Sequence, residues 1–68
     1  MIVSVNGKEE TVGEGLTVSQ LLQKQAVKMP EMVSVELNGS ILDRDAFAST
    51  QLQANDQVEF LYFMGGGK

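Results

Sequence analysis

Apolar residues alternate with polar ones over residues 2–5, "IVSV", a β-branched run that ends at Asn6-Gly7. A two-residue period in β-branched residues is the pattern of a strand, and Asn-Gly is the dipeptide most typical of a two-residue hairpin turn. The pattern predicts a first hairpin whose return strand lies in "KEETV". After Gly13 and Gly15 the period changes. From Val18 the apolar positions are Leu21, Leu22, Ala26 and Met29, one stripe of a 3.6-residue helix, with Gln20, Gln23, Lys24 and Lys28 turned to water. Thr17 stands three residues before Gln20, the spacing of a capping box, so the helix is predicted to begin there. Pro30 disfavours helical geometry at Met29 and is predicted to stop it. The two-residue period returns in "MVSVELNGSIL", which turns at Asn38-Gly39 and predicts a second hairpin. Residues 43–56 are mostly polar around Phe47 and Leu52, the pattern of a loop with one short helical turn pinned to the core by those two side chains.

The last apolar run, "QVEFLYFM", differs from the others. Val58, Phe60 and Tyr62 share one face, while Leu61 and Phe63 make the opposite face apolar as well, interrupted by Glu59. Such a run predicts a central strand. The order of elements gives an α+β fold with a mixed sheet of four to five strands around one helix, the fifth strand pairing with the first in the middle. A single helix can cover just one face of that sheet. The second face is therefore expected to be partly exposed, with Leu61 and Phe63 available for docking a partner. The two Asn-Gly pairs are read as turns and nothing more. Residues 1–64 form the predicted domain and residues 65–68 a flexible glycine-rich tail.

Composition narrows the chemistry. The 68 residues contain no Cys and no His, which removes thiolate and imidazole nucleophiles, the commonest general base and the usual zinc ligands. The chain is not expected to be an enzyme or to bind a cofactor or metal of its own. A net charge of −4 disfavours nucleic acid and favours a protein partner with a basic surface. No apolar run resembles a signal peptide or a membrane span, and without cysteines there is no disulfide framework, so a cytoplasmic location without membrane association is expected.

The chain then runs from its most apolar strand into Gly65, Gly66, Gly67 and Lys68. Glycine offers no side chain to pack and loses the most freedom on ordering, so three in succession do not serve a core. They either fray or act. Four residues beyond Met64 span about 14 Å when extended, and glycine lets backbone approach backbone where a Cβ would clash. A tail of this kind can enter a narrow active site while the domain stays outside.

Taken together, the "IVSVNGK" hairpin, the "GLTVSQLL" helix start, the "VSVELNGSIL" hairpin and the ending "NDQVEFLYFMGGGK" resemble the ubiquitin-like β-grasp family and, within it, sulfur carriers of the ThiS and MoaD type. The resemblance covers the whole chain, and the ending is its most specific part. It implies that an E1-like, ThiF-type adenylyltransferase uses Mg-ATP to adenylate a terminal glycine carboxylate, which sulfur then converts to a thiocarboxylate. In the ThiS case the acceptor is handled by thiazole synthase in thiamin biosynthesis. Carriers of the same build also serve routes to molybdopterin, cysteine or methionine. Placed on this pattern, the reacting carboxylate belongs to Gly67, preceded by Gly66 and Gly65, and Lys68 is one residue too many. Some carriers that resemble this chain are trimmed by a metallopeptidase, and the resemblance implies such processing at Lys68. A ubiquitin-like protein modifier and an interaction domain with an idle tail remain the other readings.

Overall fold

The computed structural model describes residues 1–27 and 30–62, without the side chains of Pro30 and Tyr62. Five strands form one sheet: β1 (Ile2–Val5), β2 (Lys8–Thr11), β3 (Val33–Leu37), β4 (Ser40–Leu42) and β5 (Gln57–Tyr62). Their order is β2-β1-β5-β3-β4. The β1–β5 pair is parallel and the other three pairs are antiparallel, so the sheet is mixed and β5 occupies its centre beside β1, as the last apolar run predicts.

Both hairpins close on the predicted dipeptides. Asn6 and Gly7 have φ of 53° and 83°, and Asn38 and Gly39 have φ of 53° and 87°. Positive φ at both central positions is the type I′ requirement, whose twist matches that of the strands.

The single helix, α1 (Val18–Lys24), starts with the predicted capping box. The Gln20 amide donates to Thr17 Oγ1 at 3.2 Å, and the Thr17 amide donates to Gln20 Oε1 at 2.9 Å. Val18, Leu21 and Leu22 are buried. The far end departs from expectation, because the helix stops at Lys24 well before Pro30. The Ala26 amide donates to the Gln23 carbonyl and the Val27 amide to the Leu22 carbonyl, at 3.1 and 3.2 Å, while Ala26 adopts φ 56°. This pair of bonds is a Schellman closure, usually built on glycine. Ala26 is exposed and is not part of the apolar stripe, and Met29 lies outside the described residues.

The core is made of Val3, Val5, Val12, Val18, Leu21, Leu22, Val33, Val35, Phe47, Leu52, Val58 and Phe60. Phe47 and Leu52 are anchors of the 43–56 segment, as expected, with a 3-10 turn at Arg44–Ala46. That segment is laced to the start of α1: Val18 donates to the Thr50 carbonyl, Ser19 to that of Phe47, and Leu52 to that of Leu16. Among the described residues no polar or charged side chain is buried.

Candidate functional site

The site is the end of β5 and the sheet face that α1 leaves uncovered. Strand periodicity sends Val58 and Phe60 into the core, at 1% and 8% exposure, and turns Glu59 and Leu61 to the other side. Leu61 is half-buried and lies opposite Ser34 of β3, while Glu59 is exposed and lies opposite Glu36. Ile41 of β4, opposite Glu36, continues this row and is 61% exposed. On the β1 side the open face carries Ser4 and Gln57. The expected partly apolar open face is present, but it is mixed: Leu61 and Ile41 stand beside two carboxylates that face each other.

Strand β5 is held from both flanks by the two Asn-Gly turns. On one flank the Asn6 amide donates to the Val58 carbonyl at 2.9 Å, and the Phe60 amide donates to the Asn6 side-chain Oδ1 at 2.8 Å. On the other, the Asn38 amide donates to the Gln57 carbonyl at 2.7 Å and the Gln57 amide to Asn38 Oδ1 at 2.8 Å. Asn38 Nδ2 also donates to Asp56 Oδ1 at 3.0 Å, and the other Asp56 oxygen accepts from the Gln53 amide at 2.8 Å. Reading these pairs as turns alone missed that both asparagines position the strand that leads to the tail. The signal was the strand order itself. Once β5 is placed between β1 and β3, the turns after β1 and β3 fall on either side of its first residues.

Of the sequence-predicted site residues, the structure places Leu61 on the open face. Phe63, Gly65, Gly66, Gly67 and Lys68 lie outside the described residues. Among the described residues no group of His, Cys, Asp or Glu could hold a metal ion. No described helix is long and apolar enough to cross a membrane. A cavity of about 360 Å³ lies away from this site, between Leu22 and Val27 at the end of α1 and the 3-10 turn. Arg44 on its rim donates to the Val33 carbonyl at 2.7 Å and stands 5.4 Å from the Phe47 ring centroid.

Comparison with known proteins agrees with this geometry. The ThiS family model matches residues 2–67. The crystal structure of a thiamine biosynthesis protein (ThiS) from Geobacter metallireducens superposes with a TM-score of 0.89 at 52% identity, covering 98% of this chain and 100% of that one. The solution structure of a thiamine biosynthesis protein from the same organism gives 0.79 at 53% identity, over 100% of this chain and 90% of that one. Two curated relatives are thiazole synthases. That of Magnetococcus marinus is 34% identical over all of this chain, and that of Paramagnetospirillum magneticum is 31% identical over 98% of it. The chain spans about a fifth of the length of those two proteins, 21% and 20%. With one helix, a five-stranded mixed sheet and a family match along nearly all of its length, the chain belongs to the ThiS family of small sulfur carrier proteins.

Proposed function

We propose that this chain carries sulfur for thiamin biosynthesis on the carboxylate of Gly67, and that a thiazole synthase is the enzyme that receives the sulfur. The observation that carries this reading is that the whole chain corresponds to one segment of proteins named thiazole synthase. Such an arrangement is expected where carrier and acceptor work together. The ThiS match also reaches residue 67, taking in Gly65, Gly66 and Gly67 and leaving Lys68 outside.

A free carboxylate is a poor electrophile. In the proposed cycle a carboxylate oxygen of Gly67 attacks the α-phosphorus of Mg-ATP on an E1-like, ThiF-type adenylyltransferase, and pyrophosphate leaves. A sulfur nucleophile then displaces AMP from the carbonyl carbon, leaving the thiocarboxylate. Both steps take place in the partner's site, in the cytoplasm, and need no side chain of the carrier. What the carrier contributes is a tail of bare backbone and a face to dock with, for which we assign Leu61 and Phe63.

The chemistry needs a free carboxylate on Gly67. With Lys68 attached, the reacting carbon would lie one residue, about 3.5 Å, too far along, behind a long charged side chain. We therefore propose that a peptidase, of the metallopeptidase type, removes Lys68 before activation. Lys68 also favours a second reading, in which the same carrier chemistry feeds methionine, cysteine or molybdopterin formation.

The test is to incubate the full-length chain and a version ending at Gly67 with the ThiF-type enzyme, Mg-ATP and a sulfur donor, and to follow intact mass. The shortened chain is expected to gain the mass of sulfur in place of oxygen and then lose it when thiazole synthase and its substrates are added. Failure of the shortened chain to be converted would remove the carrier reading. Conversion of the full-length chain with Lys68 retained, at an equal rate, would remove the processing step. A thiocarboxylate that thiazole synthase does not discharge would move the chain to another pathway.

A further inference from the structure

The parallel ladder between β1 and β5 is short. Ser4 donates to the Asp56 carbonyl and Asn6 to the Val58 carbonyl, each at 2.9 Å. The next rung would need a main-chain carbonyl at residue 6 for the Phe60 amide, but Gly7, at φ 83°, has already turned the chain back into β2. The Asn6 side chain supplies the acceptor instead, at 2.8 Å, and no β1 residue is left beyond it.

Alternate residues of a strand send their main-chain groups to the same side. The Phe60 carbonyl and the Tyr62 amide therefore point to the side where β1 has ended. No main-chain group among the described residues pairs with them there. On the opposite side β5 stays paired with β3, with Leu61 opposite Ser34 and Tyr62 opposite Val33, so its extended geometry holds through residue 62. Half of a central strand is thus an edge. Natural edges are usually blunted by charge, proline or a bulge. Residues 60–62, Phe-Leu-Tyr, carry neither charge nor proline.

We infer that this half-edge of β5 receives an extended strand of the adenylating partner, which continues the sheet past the Asn6 side chain. The inference deepens the proposed function and rests on it. Two observations select the occupant. Tyr62 is five residues before Gly67, a span of at most about 18 Å, so an enzyme that holds the Gly67 carboxylate works within that reach of this edge. The flanking face also has one sign of charge: Glu59 and Glu36 face each other, and no described Lys or Arg occupies a strand position on that face. The incoming strand is expected to set an apolar residue against Leu61 and a basic one near Glu59.

Backbone amide exchange, measured by NMR on the free carrier ending at Gly67 and on its stoichiometric complex with the adenylating enzyme without ATP, tests this directly. The Tyr62 amide is expected to slow by about tenfold or more in the complex, since strand pairing shields it, whereas Leu61, already paired with Ser34, is expected to be protected in both states. Tyr62→Pro removes this one donor without touching a β3–β5 hydrogen bond, and Tyr62→Ala keeps it. The proline variant is expected to raise the KM for carrier in adenylation about tenfold over the alanine variant. The exchange measurement needs no variant and decides alone if Tyr62→Pro fails to fold. An unslowed Tyr62 amide in the complex, or proline and alanine variants with equal KM, overturns the inference. So does Tyr62 protection in the free protein that grows with concentration, which would make a second copy of this chain the occupant. Protection without adenylation of Gly67 leaves the strand pairing standing and removes the carrier reading; adenylation without protection does the reverse. A chain ending at Gly67 that is not bound at all removes both.

Discussion

The two faces of the sheet are built from the same strands and differ in almost everything else. Under α1, Val3, Val5, Val33, Val35, Val58 and Phe60 are at most 8% exposed and wholly apolar. One residue away along the same strands, the open face carries Ser4, Ser34, Glu36, Gln57, Glu59 and Leu61, all exposed or half-buried. A domain this small has one core and little stability beyond it. The alternation therefore confines stabilising burial to one face and leaves the other available for the proposed docking.

Adjacent residues of β5 provide the strongest test of that separation. Phe60→Ala deletes a ring from the core and is expected to cost about 3 to 5 kcal/mol, enough to unfold much of the population. Leu61→Ser, the next position, is expected to leave the urea midpoint little changed and to weaken binding to the adenylating enzyme. Calorimetric titration together with chemical unfolding reads both. If Leu61→Ser lowers stability as far as Phe60→Ala does, the open face is part of the core and the contrast is wrong.

A smaller effect is expected where the two faces share a strand flank. Asn6→Gly keeps the positive φ that the turn requires but removes the acceptor of the Phe60 amide. The loss is expected to be about 1 to 2 kcal/mol, because a main-chain donor is left without its partner. Asn6→Asp retains an acceptor oxygen and should recover most of it. Equal destabilisation by glycine and aspartate would show that the amide side chain holds something other than Phe60.

The contrast between the faces was legible in the sequence because it rests on a period of two, and so were the hairpins, the Thr17–Gln20 cap and the anchoring by Phe47 and Leu52. The end of α1 was not. Alanine is a good helix former and Pro30 a visible stop, so the pattern carried the helix to Met29, whereas the backbone closes at Ala26 through hydrogen bonds that leave no mark in the residue type. The part played by Asn6 and Asn38 was hidden for a related reason: a residue with positive φ accounts fully for a turn, and its side-chain partner is visible only once the strand order is known. The reading of Gly65, Gly66, Gly67 and Lys68 as a working tail lies outside the described residues. Ala26 gives a prediction from this gap. A left-handed φ is strained for any residue with a Cβ, and Ala26 is exposed. Ala26→Gly is expected to raise stability by about 0.5 kcal/mol, the relief of strain exceeding the entropy that glycine adds to the unfolded chain. A lower thermal midpoint in this variant would show that the Schellman closure is not the native end of the helix.

The smallest effect on stability is expected on the open face, and its sign is what matters. Glu36 and Glu59 lie directly opposite each other on β3 and β5. Like charges in that position destabilise a sheet by a few tenths of a kcal/mol, an amount on the scale of other cross-strand pairs. Nothing in folding calls for two carboxylates there, whereas a basic partner surface would. Glu59→Gln is therefore expected to stabilise the free domain by roughly 0.3 kcal/mol at low ionic strength, with the gain fading as salt screens the repulsion near 1 M. The same change is expected to slow association with the adenylating enzyme and to flatten the salt dependence of that rate, because rim charges act mainly on encounter. Stability and binding would then move in opposite directions on one substitution, which neither a core residue nor an idle surface residue can do. A Glu59→Gln variant that binds as fast as the parent at every salt concentration would reduce the carboxylate pair to ordinary solvated charge, and the open face would have to be recognised through Leu61 and its apolar neighbours alone.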